Sequence, residues 1–276
     1  MPTAKLRTAT VDYAVVGGQG DPTVLVHGPF ADRRVWDRIA SPLARALQVI
    51  TYDRRGYGAS RGPARPHPVR DDAADLAGLL GSLDLFPAHV VGDSYGAVVA
   101  LRLALDRPEM VRSVVAHDVP FFGLLDADPV AGPAVRAWAE RARSLGARIR
   151  SGEAESVARE VFGAEYSDLA AWESLDAGRQ LEYAAYGARW VEELDDPETT
   201  RPSRAELEGL DIPILLTSGD VGPSWARPVD AQLHAMFRNS SALSIPGAGH
   251  WPWVTRPDSF VGLLATFLLE RDVPST

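Results

Sequence analysis

Ala88-His89-Val90-Val91-Gly92-Asp93-Ser94-Tyr95-Gly96-Ala97-Val98-Val99-Ala100-Leu101 carries a G-x-S-x-G pentapeptide, Gly92 to Gly96, between an apolar run and an amphipathic one. Ala88–Gly92 predicts a buried strand, and Tyr95–Leu105 predicts a helix stopped by Asp106-Arg107-Pro108. A serine at the apex of such a tight strand-to-helix turn occupies strained backbone. The flanking glycines are needed because side chains there would collide with both elements. The helix behind it aims its N-terminal amides at negative charge developing beside Ser94. The context therefore points to an activated nucleophile rather than a serine in an ordinary turn.

On both sides of this motif short apolar runs alternate with longer amphipathic ones, which predicts strands and helices repeated around a largely parallel sheet. Leu6–Val16, with the turn Gly17-Gly18-Gln19-Gly20-Asp21, is expected to form a two-stranded hairpin that feeds the strand Thr23–Val26. A helix near Val35–Leu47, the strand Gln48–Tyr52, a helical stripe from Pro68 to Leu83 and the strand Val111–Ala116 complete the first half. From Phe121 to Glu208 helical segments follow one another without a convincing strand. That break predicts a helical cap, residues 121–208, inserted into a core made of residues 1–120 and 209–276. The strand Ile212–Thr217, the helix Val229–Phe237, the strand Ser241–Ile245 and the helix Ser259–Arg271 close the core.

Composition narrows the chemistry. The 276 residues are 46% hydrophobic and 24% charged, a balance that excludes a disordered or fibrous chain. No cysteine is present, which removes disulfides, thiol catalysis and thiolate metal sites and leaves an activated hydroxyl as nucleophile. The net charge of −9 argues against nucleic acid or an anionic membrane surface as partner. Met1–Thr10 holds no apolar segment of signal-peptide type, and no later stretch is apolar enough to span a membrane, so a cytoplasmic protein is expected. Gly56-Tyr57-Gly58 and Gly17-Gly18-Gln19-Gly20 lack the dinucleotide-loop pattern, and no histidine-containing cluster has metal-ligand spacing. Neither a cofactor nor a metal is expected.

Ser94 needs a base, and only histidine serves near neutral pH without a large pKa shift. Among His27, His67, His89, His117, His234 and His250, the last stands in Gly247-Ala248-Gly249-His250-Trp251-Pro252, directly after the last expected strand. Chain ends of a parallel sheet converge there. His67 in a proline-rich loop, His89 at a strand start and His234 within a helix read as structural or surface residues.

His27-Gly28 after one strand, Asp53-x-Arg55-Gly56-x-Gly58-x-Ser60 after the next, Gly92-x-Ser94-x-Gly96, and Gly249-His250 near the end follow an order that resembles the α/β-hydrolase superfamily over almost the whole chain. The resemblance implies an eight-stranded, mostly parallel sheet flanked by helices, with the cap after the sixth strand. It is specific to the fold and much less specific to the reaction. In most members the triad acid lies past the strand that follows the cap. Here Ser218-Gly219-Asp220-Val221-Gly222-Pro223 has Gly222 at that site and Asp220 nearby. Asp118, after the nucleophile helix and one parallel strand, returns to the same sheet edge as Ser94. Haloalkane dehalogenases and fungal zearalenone lactonases are similar in taking their acid from this strand end. Asp118 is therefore favoured, with Asp220 the alternative; either would fix the histidine tautomer and stabilise its imidazolium. The oxyanion hole is expected from the N–H of Tyr95 and one from His27-Gly28-Pro29-Phe30. Pro29 has no N–H, so Gly28 or Phe30 supplies the second donor, or the hole keeps only one.

Cap aromatics predict pocket walls above Ser94. Phe121, Phe122, Trp138 and Trp172 are candidates, as are Tyr183, Tyr186 and Trp190, with Pro29 from the core and Arg54 or Arg189 to orient a polar substituent. A partial likeness to the zearalenone lactonases rests on Asp118 followed by Val119-Pro120, on Trp190 ahead of Glu206-Leu207-Glu208, and on Gly222. Those enzymes have glycine where Pro29 stands and lack the His27-Gly28 pair. The likeness implies ester or lactone hydrolysis of an aromatic substrate, and the expectation is a serine hydrolase acting through an acyl-enzyme on an apolar or aromatic small-molecule ester or lactone; a monomer or homodimer is expected. The same triad also serves C–C bond hydrolysis, and a non-hydrolytic ligand-binding member of the fold is a further alternative.

Overall fold

A computed structural model describes residues 2–63 and 66–269; the expected last residues of the final helix, Glu270 and Arg271, lie outside them. The strands are β1 (Thr3–Lys5), β2 (Thr10–Val16), β3 (Pro22–Val26), β4 (Gln48–Tyr52), β5 (Ala88–Asp93), β6 (Val111–His117), β7 (Ile214–Gly219) and β8 (Ser240–Ile245). They form one eight-stranded sheet in the order β1-β2-β4-β3-β5-β6-β7-β8. From β4 through β8 every neighbouring pair is parallel, and β2 is antiparallel to both β1 and β4. This is the predicted mostly parallel sheet, with β5 in its middle and Ser94 just past the end of β5.

Successive side chains of a strand face opposite sides, so a sheet covered on both faces needs apolar residues in unbroken runs. Val24, Ile50 and Val90 accordingly enter one apolar cluster, while Leu25, Val49 and Val91 enter another. The helices of the core are α1 (Asp37–Leu43), α2 (Val69–Leu83) and α3 (Tyr95–Asp106) before the insertion. Leu76 of α2 and Val99 of α3 belong to the first cluster, and Ile39 of α1 to the second.

Between β6 and β7 the described residues hold no strand. A 3-10 turn, Phe122–Leu125, leads to α4 (Ala131–Arg150) and α5 (Ala154–Glu160), then a π-helical turn, Val161–Glu165. There follow α6 (Leu169–Glu173), α7 (Ala177–Ala185), α8 (Gly187–Asp195), α9 (Pro197–Thr200) and α10 (Arg204–Glu208). After β7 the chain forms α11 (Ala226–Met236), α12 (Pro252–Thr255) and α13 (Pro257–Leu269). Aromatic residues tie the inserted helices to the loops at the strand ends: Trp190 packs on Phe30 at 5.3 Å and Tyr166 on His250 at 4.0 Å. No helix among the described residues is long and apolar enough to cross a membrane.

The structure corrects two local expectations. The first hairpin joins β1 to β2, and the turn at residues 17–21 is no hairpin turn, because β3 pairs in parallel with β4 and β5 and leaves the other edge of β4 for β2. The helix expected over Val35–Leu47 is shorter: it opens as a 3-10 turn at Arg33–Trp36 and ends at Leu43. Asp32 caps that turn, its side chain accepting from the Arg34 N–H, and Pro42 has no N–H to bond back to the preceding turn.

Candidate active site

Ser94 has φ 51° and ψ −117°, a conformation that side chains rarely adopt. The turn survives because its neighbours are glycines. A Cβ on Gly92 would lie 2.3 Å from the Gly96 carbonyl oxygen, and one on Gly96 would lie 2.2 Å from that of Val26. The Ser94 N–H donates to the His117 carbonyl at 2.8 Å, and its own carbonyl accepts from Ala97 N–H in the first turn of α3. Strand, apex and helix are thus those predicted from the pentapeptide.

His250 and Asp118 meet although 132 residues separate them: Nδ1 lies 2.7 Å from Asp118 Oδ2. Asp118 follows β6, and its N–H donates to the Thr217 carbonyl of β7 at 2.9 Å. The His250 N–H donates to the Tyr166 carbonyl at 3.1 Å, and the next N–H, of Trp251, donates to Asp168 Oδ2. An ionised Asp118 holds the Nδ1 proton and leaves Nε2 free to accept. Burial works against its charge, but His117 and His250 outweigh burial and hold the Asp118 carboxyl below the ordinary carboxylate range. Asp220 is elsewhere: it is exposed and accepts from Gly247 N–H at 2.6 Å, shaping the loop before His250.

Two titratable neighbours were not singled out from the sequence. His117 Nε2 lies 3.3 Å from Asp118 Oδ2, and its Nδ1 is 3.0 Å from Thr217 Oγ1. His117, Asp118 and His250 therefore form a cluster that linear spacing concealed, with both imidazoles turned to one carboxylate oxygen. Asp93, the second residue of the pentapeptide, is fully buried with Oδ1 3.6 Å from His250 Nε2. The Gly28 N–H faces it without closing a well-formed hydrogen bond, and both its oxygens lack partners. Burial, opposed by His250 and His117, raises the Asp93 pKa to about 6. His250 Nε2 itself has no hydrogen-bond partner, so the Ser94 hydroxyl is not yet bonded to it. Such contacts commonly tighten only when substrate binds.

The loop at residues 27–30 is set by a buried network. His27 Nε2 accepts from Arg54 N–H at 3.0 Å, so Nδ1 carries the proton toward the Gly28 carbonyl at 2.8 Å. Burial first, then the Arg54 charge, lower the His27 pKa to about 3 and keep the ring neutral. Arg54, fully buried, donates to the carbonyls of His27 (2.9 Å) and Gly28 (3.3 Å) and pairs with Glu193 of α8 at 2.8 Å. Arg54, named from the sequence as a candidate to orient a polar substituent, is thus a strut between this loop and α8. Arg189 is likewise engaged, with His67 and Glu192.

A small cavity of about 20 Å3 adjoins Ser94. Of the residues singled out from the sequence as pocket walls, Pro29, Phe122, Trp138 and Trp190 line it, together with Tyr95, Tyr166, Glu193, Thr199 and Trp225. Phe121, Tyr183 and Tyr186 do not line it. Phe121 is core, the Tyr183 hydroxyl donates to Asp32 Oδ1, and that of Tyr186 accepts from Gly58 N–H. Trp172 packs on Phe162. Trp225 was overlooked because it lies outside the insertion, in the turn before α11.

A family model described as the alpha/beta hydrolase fold matches residues 21–257. The chain is similar to the sn-1-specific diacylglycerol lipase of Mus musculus, 25% identical across 96% of this chain and 87% of that protein. It is also similar to the 2-hydroxymuconate semialdehyde hydrolase of Pseudomonas sp. strain CF600, 29% identical across 92% and 89%. Among solved structures, the enol-lactonase from Burkholderia xenovorans LB400 shares the fold with a TM-score of 0.78 at 20% identity, covering 97% of this chain and all of that one. With its motif order, sheet topology and matched span in agreement, the chain belongs to the α/β-hydrolase fold family.

Proposed function

We propose that the chain is a serine hydrolase that cleaves a carboxylic ester or lactone of an apolar or aromatic small molecule through an acyl-enzyme. The observation that carries this reading is the 2.7 Å contact of His250 Nδ1 with Asp118, formed at the strand ends beside the strained Ser94 turn. His250 Nε2 takes the Ser94 proton as the hydroxyl oxygen attacks the carbonyl carbon. The resulting oxyanion is met by the Tyr95 N–H at the start of α3 and by the Phe30 N–H, since Pro29 has none and that of Gly28 faces Asp93. Collapse expels the alcohol, protonated by His250. A water that gives its proton to His250 then attacks the ester of Ser94, and as the Oγ–acyl bond breaks His250 returns that proton to the Ser94 oxygen and the acid leaves. Residues 121–208 act as a cap over a core of residues 1–120 and 209–276. The cavity holds about one water, so an aromatic substrate enters only when the cap shifts.

Similarity to a diacylglycerol lipase supports ester cleavage. Replacing Ser94 with alanine is expected to lower kcat on 4-nitrophenyl acetate by on the order of 10⁴ or more with unchanged circular dichroism. Equal rates would contradict the proposal. A second reading, C–C bond hydrolysis by the same residues, is favoured by the 2-hydroxymuconate semialdehyde hydrolase relative. A kcat/KM on that semialdehyde above the value for aryl esters would select it.

A further inference from the structure

The cavity beside Ser94 is walled mainly by rings, yet three of its residues hold buried polar atoms without a hydrogen-bond partner: Glu193 Oε2, Thr199 Oγ1 and Trp225 Nε1. These residues are 3%, 1% and 4% exposed, and they come from α8, α9 and the turn before α11. A buried polar atom left unpaired costs roughly 1–3 kcal/mol, so three on residues that line one small cavity favour a ligand that pairs with them. Glu193 is firmly held: its Oε1 accepts from Arg54 Nη1 at 2.8 Å and from the Tyr57 hydroxyl at 2.7 Å, which leaves Oε2 over.

The chemistry of the three atoms selects their ligand. A carboxylate oxygen beside a guanidinium accepts, an indole N–H donates, and a threonine hydroxyl does either. A hydroxyl is the smallest neutral organic substituent whose oxygen both donates to the first and accepts from the second. A ketone or ether has no proton for Glu193, an ammonium has no lone pair for Trp225, and a carboxylate would be repelled by Glu193.

Resting on Ser94 as the nucleophile, we infer that Glu193, Thr199 and Trp225 form a hydroxyl-binding subsite, and that the substrate class is a hydroxylated aromatic ester or lactone. Binding of the bare hydrocarbon would leave the three atoms unpaired, which is how such sites reject deoxy analogues.

The test is protection of Ser94 from a fluorophosphonate by matched small probes, 4-ethylphenol and 4-ethyltoluene, which carry a hydroxyl and a methyl group of similar size at the same ring position. Half-protection is expected at a concentration at least tenfold lower for the phenol. In Thr199→Val and in Trp225→Phe that preference should shrink to threefold or less. Thr199→Val should unfold at the same or higher urea concentration than the parent, because the hydroxyl it removes has no partner in the fold. If the parent is not labelled at Ser94, the serine mechanism itself falls. If it is labelled but 4-ethylphenol and 4-ethyltoluene protect alike, or the phenol preference persists undiminished in both variants, the subsite falls while the serine mechanism stands.

Discussion

Replacing Asp93 with asparagine should stabilise the protein at neutral pH, because this carboxyl is buried where ionisation is unfavourable. The side chain sits beneath Gly28 and beside His250 Nε2, with neither oxygen paired. Burial raises its pKa from 3.8 to about 6 against the pull of His250 and His117. The unfolded chain releases this proton near its ordinary value, whereas the folded chain holds it until about pH 6. Between those values the folded state binds more protons, so stability falls as pH rises and levels off above pH 6. The shift corresponds to about 3 kcal/mol at pH 7 and under about 1 kcal/mol at pH 4. Asparagine has nearly the same shape and no proton to release. Urea unfolding of parent and Asp93→Asn across pH 4 to 8 isolates the effect, because other buried acids with raised pKa values, Asp53 near 6 and Asp230 near 8, are common to both proteins. The stability difference should grow in favour of the variant from pH 4 to pH 7 and then stay flat. A difference independent of pH, or one that favours the parent at pH 7, would refute the reasoning.

Asp118→Asn should lower kcat by about 10⁴, because the amide no longer fixes the Nδ1 proton of His250, whereas Asp220→Asn should leave kcat unchanged; ester kinetics on both variants check this. Glu193→Ala should cost about 3 kcal/mol or more in urea unfolding, since it strips the 2.8 Å partner from a fully buried Arg54. If that variant is as stable as the parent, Arg54 is not the strut described. In acid the Asp118 contribution runs opposite to that of Asp93. Its lowered pKa supplies stability above the unfolded value that is lost as pH falls through the folded one, so Asp118→Asn should lose its stability deficit at low pH.

The sheet and the Ser94 turn were legible because they obey local rules. Adjacent apolar residues, Val90-Val91 in β5 and Val114-Val115-Ala116 in β6, require cover on both faces, and Gly92 and Gly96 leave room for backbone at 2.3 and 2.2 Å. Topology, one helix and one parallel strand returning the chain to the same edge, together with the likeness to enzymes that take their acid there, favoured Asp118 and left Asp220 open; the 2.7 Å contact with His250 forms only in the fold. What escaped was set by tertiary packing. Asp93 was visible within the pentapeptide, yet whether a carboxyl there meets solvent or Gly28 depends on a loop 65 residues upstream. His117 meets Thr217 of β7 and Asp118 just past the end of β6, contacts that only the assembled sheet makes. The aromatics of the insertion gave no local sign of which would face Ser94: Trp190 does, whereas Tyr183 and Tyr186 spend their hydroxyls on Asp32 and Gly58. Trp225 was hidden by the assumption that walls come from the insertion.

The central claim is that Ser94 forms a covalent acyl intermediate. Intact mass spectrometry of the protein quenched in acid during turnover of 4-nitrophenyl acetate, followed by peptide mapping, tests it most directly. One acetyl group on the peptide bearing Ser94, absent from Ser94→Ala, is the expected result. Turnover with no covalent adduct, or with the acetyl group on another residue, would contradict it.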